Sequence, residues 1–247
     1  FNLRFTPKKD TQIHLLRYGE DMGRRVYERT LQFLLILAMR KEFPRARVCV
    51  RYSLGPGLFI TVDGMEEPFN EEAALKVETE MRRLVRLKLP LERRRISIKE
   101  ALSFYEQDGQ ADKAKLLKWR RFSYFDVYQI DGYMDYFYGE MAPDTSYADV
   151  FRVKYVHDGA VVLLMPRSDA PDVPSDYVDL PKLHAVFHQS DEWGKLMECA
   201  TVNDLNTHIQ NGTIRELVRI NEALHDRGYA DIADKIVQKG AKAVLVA

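Results

Sequence analysis

RRVYERTLQFLLILAMRKEFPRARVCVRYSLGPGLFITVD, residues 24–63, holds a helix, its stop and a hairpin in one run, and its reading decides the fold. From Arg24 to Phe43 the apolar residues recur at helical spacing, with Leu31, Leu34, Leu35, Ala38 and Met39 on one side. Phe33, Ile36 and Leu37 fill other sides, so the spacing predicts a helix buried nearly all round. Pro44 ends it. Val48-Cys49-Val50 then reads as a strand, and the Leu54-Gly55-Pro56-Gly57 turn leads into a second, Leu58 to Val62. A helix followed by a tight hairpin, with no strand–helix–strand alternation, predicts an α+β fold with a mostly antiparallel sheet packed by helices.

Outward from that core, Asn70 reads as the N-cap of a helix through Glu71, Leu75, Glu78, Met81 and Val85. Ser97 with Glu100 has the spacing of a capping box for a helix through Leu102 and Phe104. Tyr124 to Tyr138 is aromatic and β-branched, which favours strands. Phe151–Val156 and Ala160–Met165 flank Asp158-Gly159, a hairpin signal. Pro166, Pro171, Pro174 and Pro181 then punctuate a stretch that reads as a linker or a surface-hugging loop. Beyond it the pattern predicts helices over Leu183–Met197, Val202–Ile209, Ile214–His225 and Ala230–Val237. Thr213/Glu216 is a further expected capping box, and Gly228 and Gly240 are expected stops. The expected organisation is an extended segment over 1–23, an α+β domain over 24–167, a Pro-rich linker over 168–181 and a helical segment over 182–239. Residues 240–247 hold the strand-like apolar run Ala243 to Ala247.

Composition narrows the function classes. The 247 residues are 46% hydrophobic and 30% charged, enough for a sizeable core. Lys+Arg and Asp+Glu tie at 37 each, for a formal net charge of +0, so any basic face is local. Cys49 and Cys199 form no disulfide framework, and a cytoplasmic setting is expected. Leu31–Met39 falls far short of the ~20 apolar residues of a membrane span, so no membrane partner is expected.

Candidate chemistry is sparse. His184 and His188, at i and i+4, lie on one helix face and with Asp191 form a candidate metal site, although Ala185 stands where a metalloprotease motif needs Glu. Packing or surface histidines are the competing reading. The basic runs Arg93-Arg94-Arg95 and Lys113 to Arg121, the latter around Trp119, make Arg93, Arg94, Arg95, Lys118, Arg120 and Arg121 candidate phosphate or RNA contacts. The competing reading is a set of solvated faces balanced by nearby acids. No complete phosphate-binding or dinucleotide-binding glycine motif is present.

Two resemblances add to this reading. Arg24 to Leu35, followed by Phe43-Pro44, Tyr52 to Asp63, and Leu87 to Arg93 leading to Ile96–Ala101, resembles the second additional domain of threonyl-tRNA synthetases. In that family H-x-x-x-H on a helix and a later C-x-x-x-H complete a metal-binding editing site. Here the resemblance puts Tyr27 and Leu31 at the helix positions and Tyr138 and Ala142 at the later ones, which implies a degenerate site without editing chemistry. These four residues are expected to cluster without an ion. The stretches Pro181–Phe187, Glu192-Trp193-Gly194, Val202–Asn206, Ile209–Gly212, Ile214–Leu217 and Glu222–His225 resemble the N-terminal region of uridine-kinase-like proteins of the phosphoribulokinase/uridine kinase type. That resemblance implies the accessory region of an ATP- and Mg-dependent nucleoside kinase whose P-loop domain follows, with residues 240–247 as the first strand of that domain. The region itself would hold no cofactor and no catalytic residue, with a nucleotide, RNA or a subunit as its ligand. A plain interaction module is the alternative, and a metal-dependent hydrolase on His184 and His188 a weaker one.

Overall fold

The computed structural model describes residues 6–10, 12–156 and 159–244. The turn at Asp158 and the end of the terminal apolar run lie outside the described residues. The chain divides into two compact units, one of residues 1–97 and 124–184, the other of residues 98–123 and 185–247.

The first unit carries the sheets. Helix α1 (Asp21–Glu42) is followed by β1 (Arg47–Leu54), β2 (Gly57–Asp63), α2 (Glu71–Arg86) and β3 (Glu92–Ser97). The chain returns with β4 (Tyr124–Ile130), β5 (Tyr133–Asp135), a 3-10 turn at Thr145–Tyr147, β6 (Arg152–Tyr155) and β7 (Ala160–Leu164). A short ribbon of β8 (Pro166–Arg167) and β9 (Ala170–Pro174) follows. The strands form a four-stranded sheet in the order β1-β2-β7-β6 and a three-stranded sheet in the order β3-β4-β5. All their pairings are antiparallel, as the hairpin signals predict.

The apolar girdle of α1 explains this arrangement. Leu31, Phe33, Leu34, Leu35, Leu37, Ala38 and Met39 are all buried. Burying each large side chain is worth about 1.5–3 kcal/mol. Their core cluster draws on both sheets, with Leu58, Ile60, Val161 and Leu163 from the first and Tyr128 and Ile130 from the second. Helix α2 adds Val77, Met81 and Leu84, and Asn70 caps it by accepting the Ala73 N–H at 2.9 Å. In β1 the register shifts between Val50 and Tyr52. That bulge turns Tyr52 and Leu54 to the opposite face of the sheet, where they join Phe59, Val162 and Leu164. Asp131 and Gly132 connect β4 to β5 with φ of 48° and 82°, the positive pair a two-residue primed hairpin turn demands.

Residues 168–181, expected as a linker or a surface-hugging loop, take the second form. Ser175 binds the Met165 carbonyl through both its N–H (3.0 Å) and its hydroxyl (2.6 Å), and Tyr177 and Leu180 cover the second face of the four-stranded sheet. The expected domain boundary at 167 therefore falls inside the first unit, because that face needs an apolar cover.

The second unit is helical: α3 (Ile98–Gln107), α4 (Ala111–Leu117), α5 (Pro181–Leu196, from Ala185 onward), α6 (Val202–Asn211) and α7 (Ile214–Lys239). Helix α6 begins with a capping box between Thr201 and Asp204. The box expected at Thr213 does not form, since that hydroxyl bonds to His208 instead. Nor does Gly228 stop a helix. α7 runs through it to a left-handed Gly240, because one glycine costs about 1 kcal/mol and a long helix absorbs that. Among the described residues no helix is long and apolar enough to cross a membrane.

Thr30 is a fully buried polar residue in the middle of α1. Its hydroxyl donates to the Val26 carbonyl at 2.8 Å and accepts the Ala142 N–H at 3.0 Å. Replacing it by Val leaves that N–H buried and unpaired, at a cost of about 1–3 kcal/mol. Urea unfolding of Thr30→Val should show a loss in that range, with Thr30→Ser recovering most of it. Wild-type stability in Thr30→Val would mean that the loop is held by something else.

Candidate functional site

The segment after β5, residues 136–142, lies against the middle of α1. The helix residues that meet it are Arg29, Thr30 and Phe33. The Phe33 and Phe137 rings sit 5.3 Å apart. Arg29 Nη1 donates to the Glu140 carbonyl at 3.1 Å, and its guanidinium lies flat on Gly139, where a Cβ would stand 2.7 Å from Cζ. Gly139 has φ of 109°, a left-handed conformation that also favours glycine. Beside it, Met141 is buried in the main core.

The four residues expected to mark the degenerate site are thus distributed differently. Ala142 does face α1, through Thr30. Tyr27 instead meets the chain beyond that segment, where its hydroxyl donates to the Val150 carbonyl at 2.9 Å and accepts the Val150 N–H at 2.8 Å. Burial pushes its phenol well above the ordinary range. Leu31 is fully buried in the core, and Tyr138 is 74% exposed. The i,i+4 pair facing the loop is Arg29 and Phe33, two positions later on the helix. The sequence offers the same spacing in several registers, and only the backbone contacts choose among them.

This arrangement cannot grip a metal ion. A guanidinium is always protonated and has no lone pair to give, and phenyl rings supply none either. Among the described residues, no group of three or more His, Cys, Asp and Glu is placed to hold an ion. His184 instead packs its ring 4.9 Å from Phe59 and 6.4 Å from Tyr52, while His188 is exposed.

The basic triplet on β3 is committed to neighbours. Arg95 binds Asp126 through Nε at 2.8 Å and Nη2 at 3.1 Å, and its guanidinium lies 4.1 Å from the Tyr124 ring centre. Arg93 bridges Asp126 at 3.1 Å and Glu140 at 2.9 Å. Arg94 donates to Gln129 at 2.6 Å. The Tyr128 hydroxyl lies 3.2 Å from Glu140 Oε2 and 3.1 Å from the Gly139 carbonyl, and burial followed by the Glu140 charge pushes its phenol up to about 12. Both carboxylate oxygens of Glu140 are thereby drawn away from Arg29. In the helical unit Trp119 donates to Asn203 at 2.9 Å, which ties the indole to α6. Arg120 lies 6.0 Å from the Phe122 ring centre, and Lys118 and Arg121 are exposed.

No family model matches the chain. Among curated proteins, the threonine–tRNA ligase of Carboxydothermus hydrogenoformans is 27% identical over 150 residues, 58% of this chain and 22% of that protein. Those of Acetivibrio thermocellus and Clostridium kluyveri are 26% identical over 117 residues and 23% over 152, or 47% and 61% of this chain. Part of the chain is thus similar to part of threonine–tRNA ligases. Its α+β architecture, with antiparallel sheets and helices, is consistent with an editing-domain-like module. The chain spans about a fifth of the length of the curated relatives it matches.

Asp126 gives this surface a pH dependence. Hydrogen bonding from Arg95, then from Arg93, holds its carboxyl below the ordinary range despite some desolvation. A carboxyl with a lower folded than unfolded pKa stabilises the fold above the ordinary carboxylate range and loses that contribution as pH falls through the folded value. The arginines are substantially exposed, so the contribution is about 0.5–1 kcal/mol. Urea midpoints of Asp126→Asn should lie below wild type at neutral pH and converge with it below about pH 3. A gap that stays constant with pH would show that the pair contributes no charge interaction.

Proposed function

We propose that this chain is a non-catalytic accessory region, an editing-domain-like scaffold that binds rather than hydrolyses. The observation that carries the reading is Arg29 lying on Gly139, beside the Phe33–Phe137 pair, where α1 meets the 136–142 loop. A fixed positive charge there disfavours a divalent cation, and the aromatic pair fills space that ligands would need. The similarity to threonine–tRNA ligases supports the scaffold, and the altered residues support the loss of its chemistry.

The larger assignment is that the region serves a uridine-kinase-like protein, ahead of a P-loop domain that would use ATP and Mg²⁺. It rests on the motifs of α5 to α7. The chain would then present a nucleotide, RNA or a subunit to its neighbour, and cytoplasmic residence would follow from the substrates. A plain interaction module is the second reading.

Elemental analysis and a deacylation assay with mischarged threonine tRNA test the first part. The expected result is no stoichiometric zinc and no hydrolysis beyond the uncatalysed rate. Zinc at one per chain, or measurable deacylation, would overturn it. For the kinase assignment, the gene beyond the Ala247 codon should encode G-x-x-x-x-G-K-[ST] shortly afterwards, and any other domain there would refute it.

A further inference from the structure

Among the described residues, the ion pairs of the charged groups around α1 leave Arg29 and Arg25 without a carboxylate. Arg93 and Arg95 share Asp126 and Glu140, and Glu140 also meets Tyr128. Arg29 donates to the Glu140 carbonyl and not to its carboxylate. Among the described residues no carboxylate lies within ion-pair distance of Arg29, nor of Arg25 one turn earlier on the same helix face. Half-buried cations are ordinarily paired, and a guanidinium with unused donors is a ready acceptor of planar, multi-oxygen anions.

We propose that Arg29 and Arg25 form a binding site for a phosphomonoester. Gly139 makes the site reachable, because its missing side chain leaves the guanidinium lying on exposed backbone. The Arg29 Nη1 bond to the Glu140 carbonyl fixes one edge of the fork, and among the described residues no other acceptor takes its remaining N–H donors. Two cations one turn apart match a dianion better than a single carboxylate. They also match a small phosphate better than a nucleic-acid strand, since the cations that would track a longer backbone, Arg93 to Arg95, are already engaged. Tyr138, 74% exposed and next to Gly139, offers a ring on which a base can stack, so the ligand class is a nucleoside monophosphate. The site rests on the reading that metal chemistry is absent here.

Calorimetry on the 247-residue chain, stripped with EDTA, tests it with inorganic phosphate, UMP, AMP, uridine and a single-stranded oligoribonucleotide. The expected result is binding of UMP or AMP, weaker binding of phosphate and none of uridine. Arg29→Gln should weaken UMP roughly tenfold or more, Arg29→Lys less, and Arg94→Gln not at all. The exposed Arg25→Gln cannot unfold the core and should weaken UMP severalfold, with thermal melting checking the fold of each variant. No binding by folded wild type, binding that survives Arg29→Gln, equal binding of uridine, or preference for the oligonucleotide would each overturn the proposal. Because metal is removed throughout, these failures are distinct from finding zinc or deacylation, which would defeat the accessory reading instead.

Discussion

The sheet-bearing unit depends on burying one helix nearly all the way round. A helix apolar on one stripe can rest on a single sheet, but α1 carries Phe33, Leu34, Leu35, Leu37, Ala38 and Met39 around most of its circumference. Exposing either side would leave large apolar groups in water at about 25 cal/mol per Å². One four-stranded sheet cannot wrap it. The second sheet and the 136–142 loop complete the enclosure, and the loop is held by the hydroxyl of Thr30, a polar group inside the apolar girdle. The place where chemistry would be sought in this scaffold is therefore also a place where the core must close.

That coincidence accounts for what could be read in advance. Helix α1, the Gly55-Pro56 hairpin and the Asn70 cap are local patterns, each decided by a few neighbouring residues, and each is present. The antiparallel character of the sheets followed from the hairpins. What escaped was settled by distant partners. Thr213 has a capping-box spacing, yet its hydroxyl is drawn to His208, while Thr201 with an Asp three residues later makes the real box. Residues 168–181 look like a linker by composition, and they become a cover because Phe59 and Val162 need one. Arg29 shares its i,i+4 spacing with Tyr27, and nothing in the chain itself says which of them meets the later loop.

The charge pattern teaches a related lesson. A run of three arginines on a strand reads as a basic face, but cross-strand register places Arg95 opposite Asp126 and brings Arg93 within reach of it. The strand ladder pairs two of the three cations, Arg93 and Arg95, with carboxylates. Two arginines in a strongly apolar helix, which look incidental in sequence, keep their charge. Local density of basic residues is a poor guide to where positive potential survives folding; the pairing of the intervening acids decides it.

The bulge in β1 has a consequence for life in a crowded solution. Among the described residues β1 is an edge of its sheet, and an unpaired edge is a template on which another chain can add a strand. With the register broken between Val50 and Tyr52, the outer row of N–H and C=O groups is no longer evenly spaced, and Arg47 and Arg51 line the exposed side. An incoming strand would have to match the kink and tolerate two cations at once. The irregularity that lets one strand serve both faces of its sheet also discourages this protein from polymerising edge to edge.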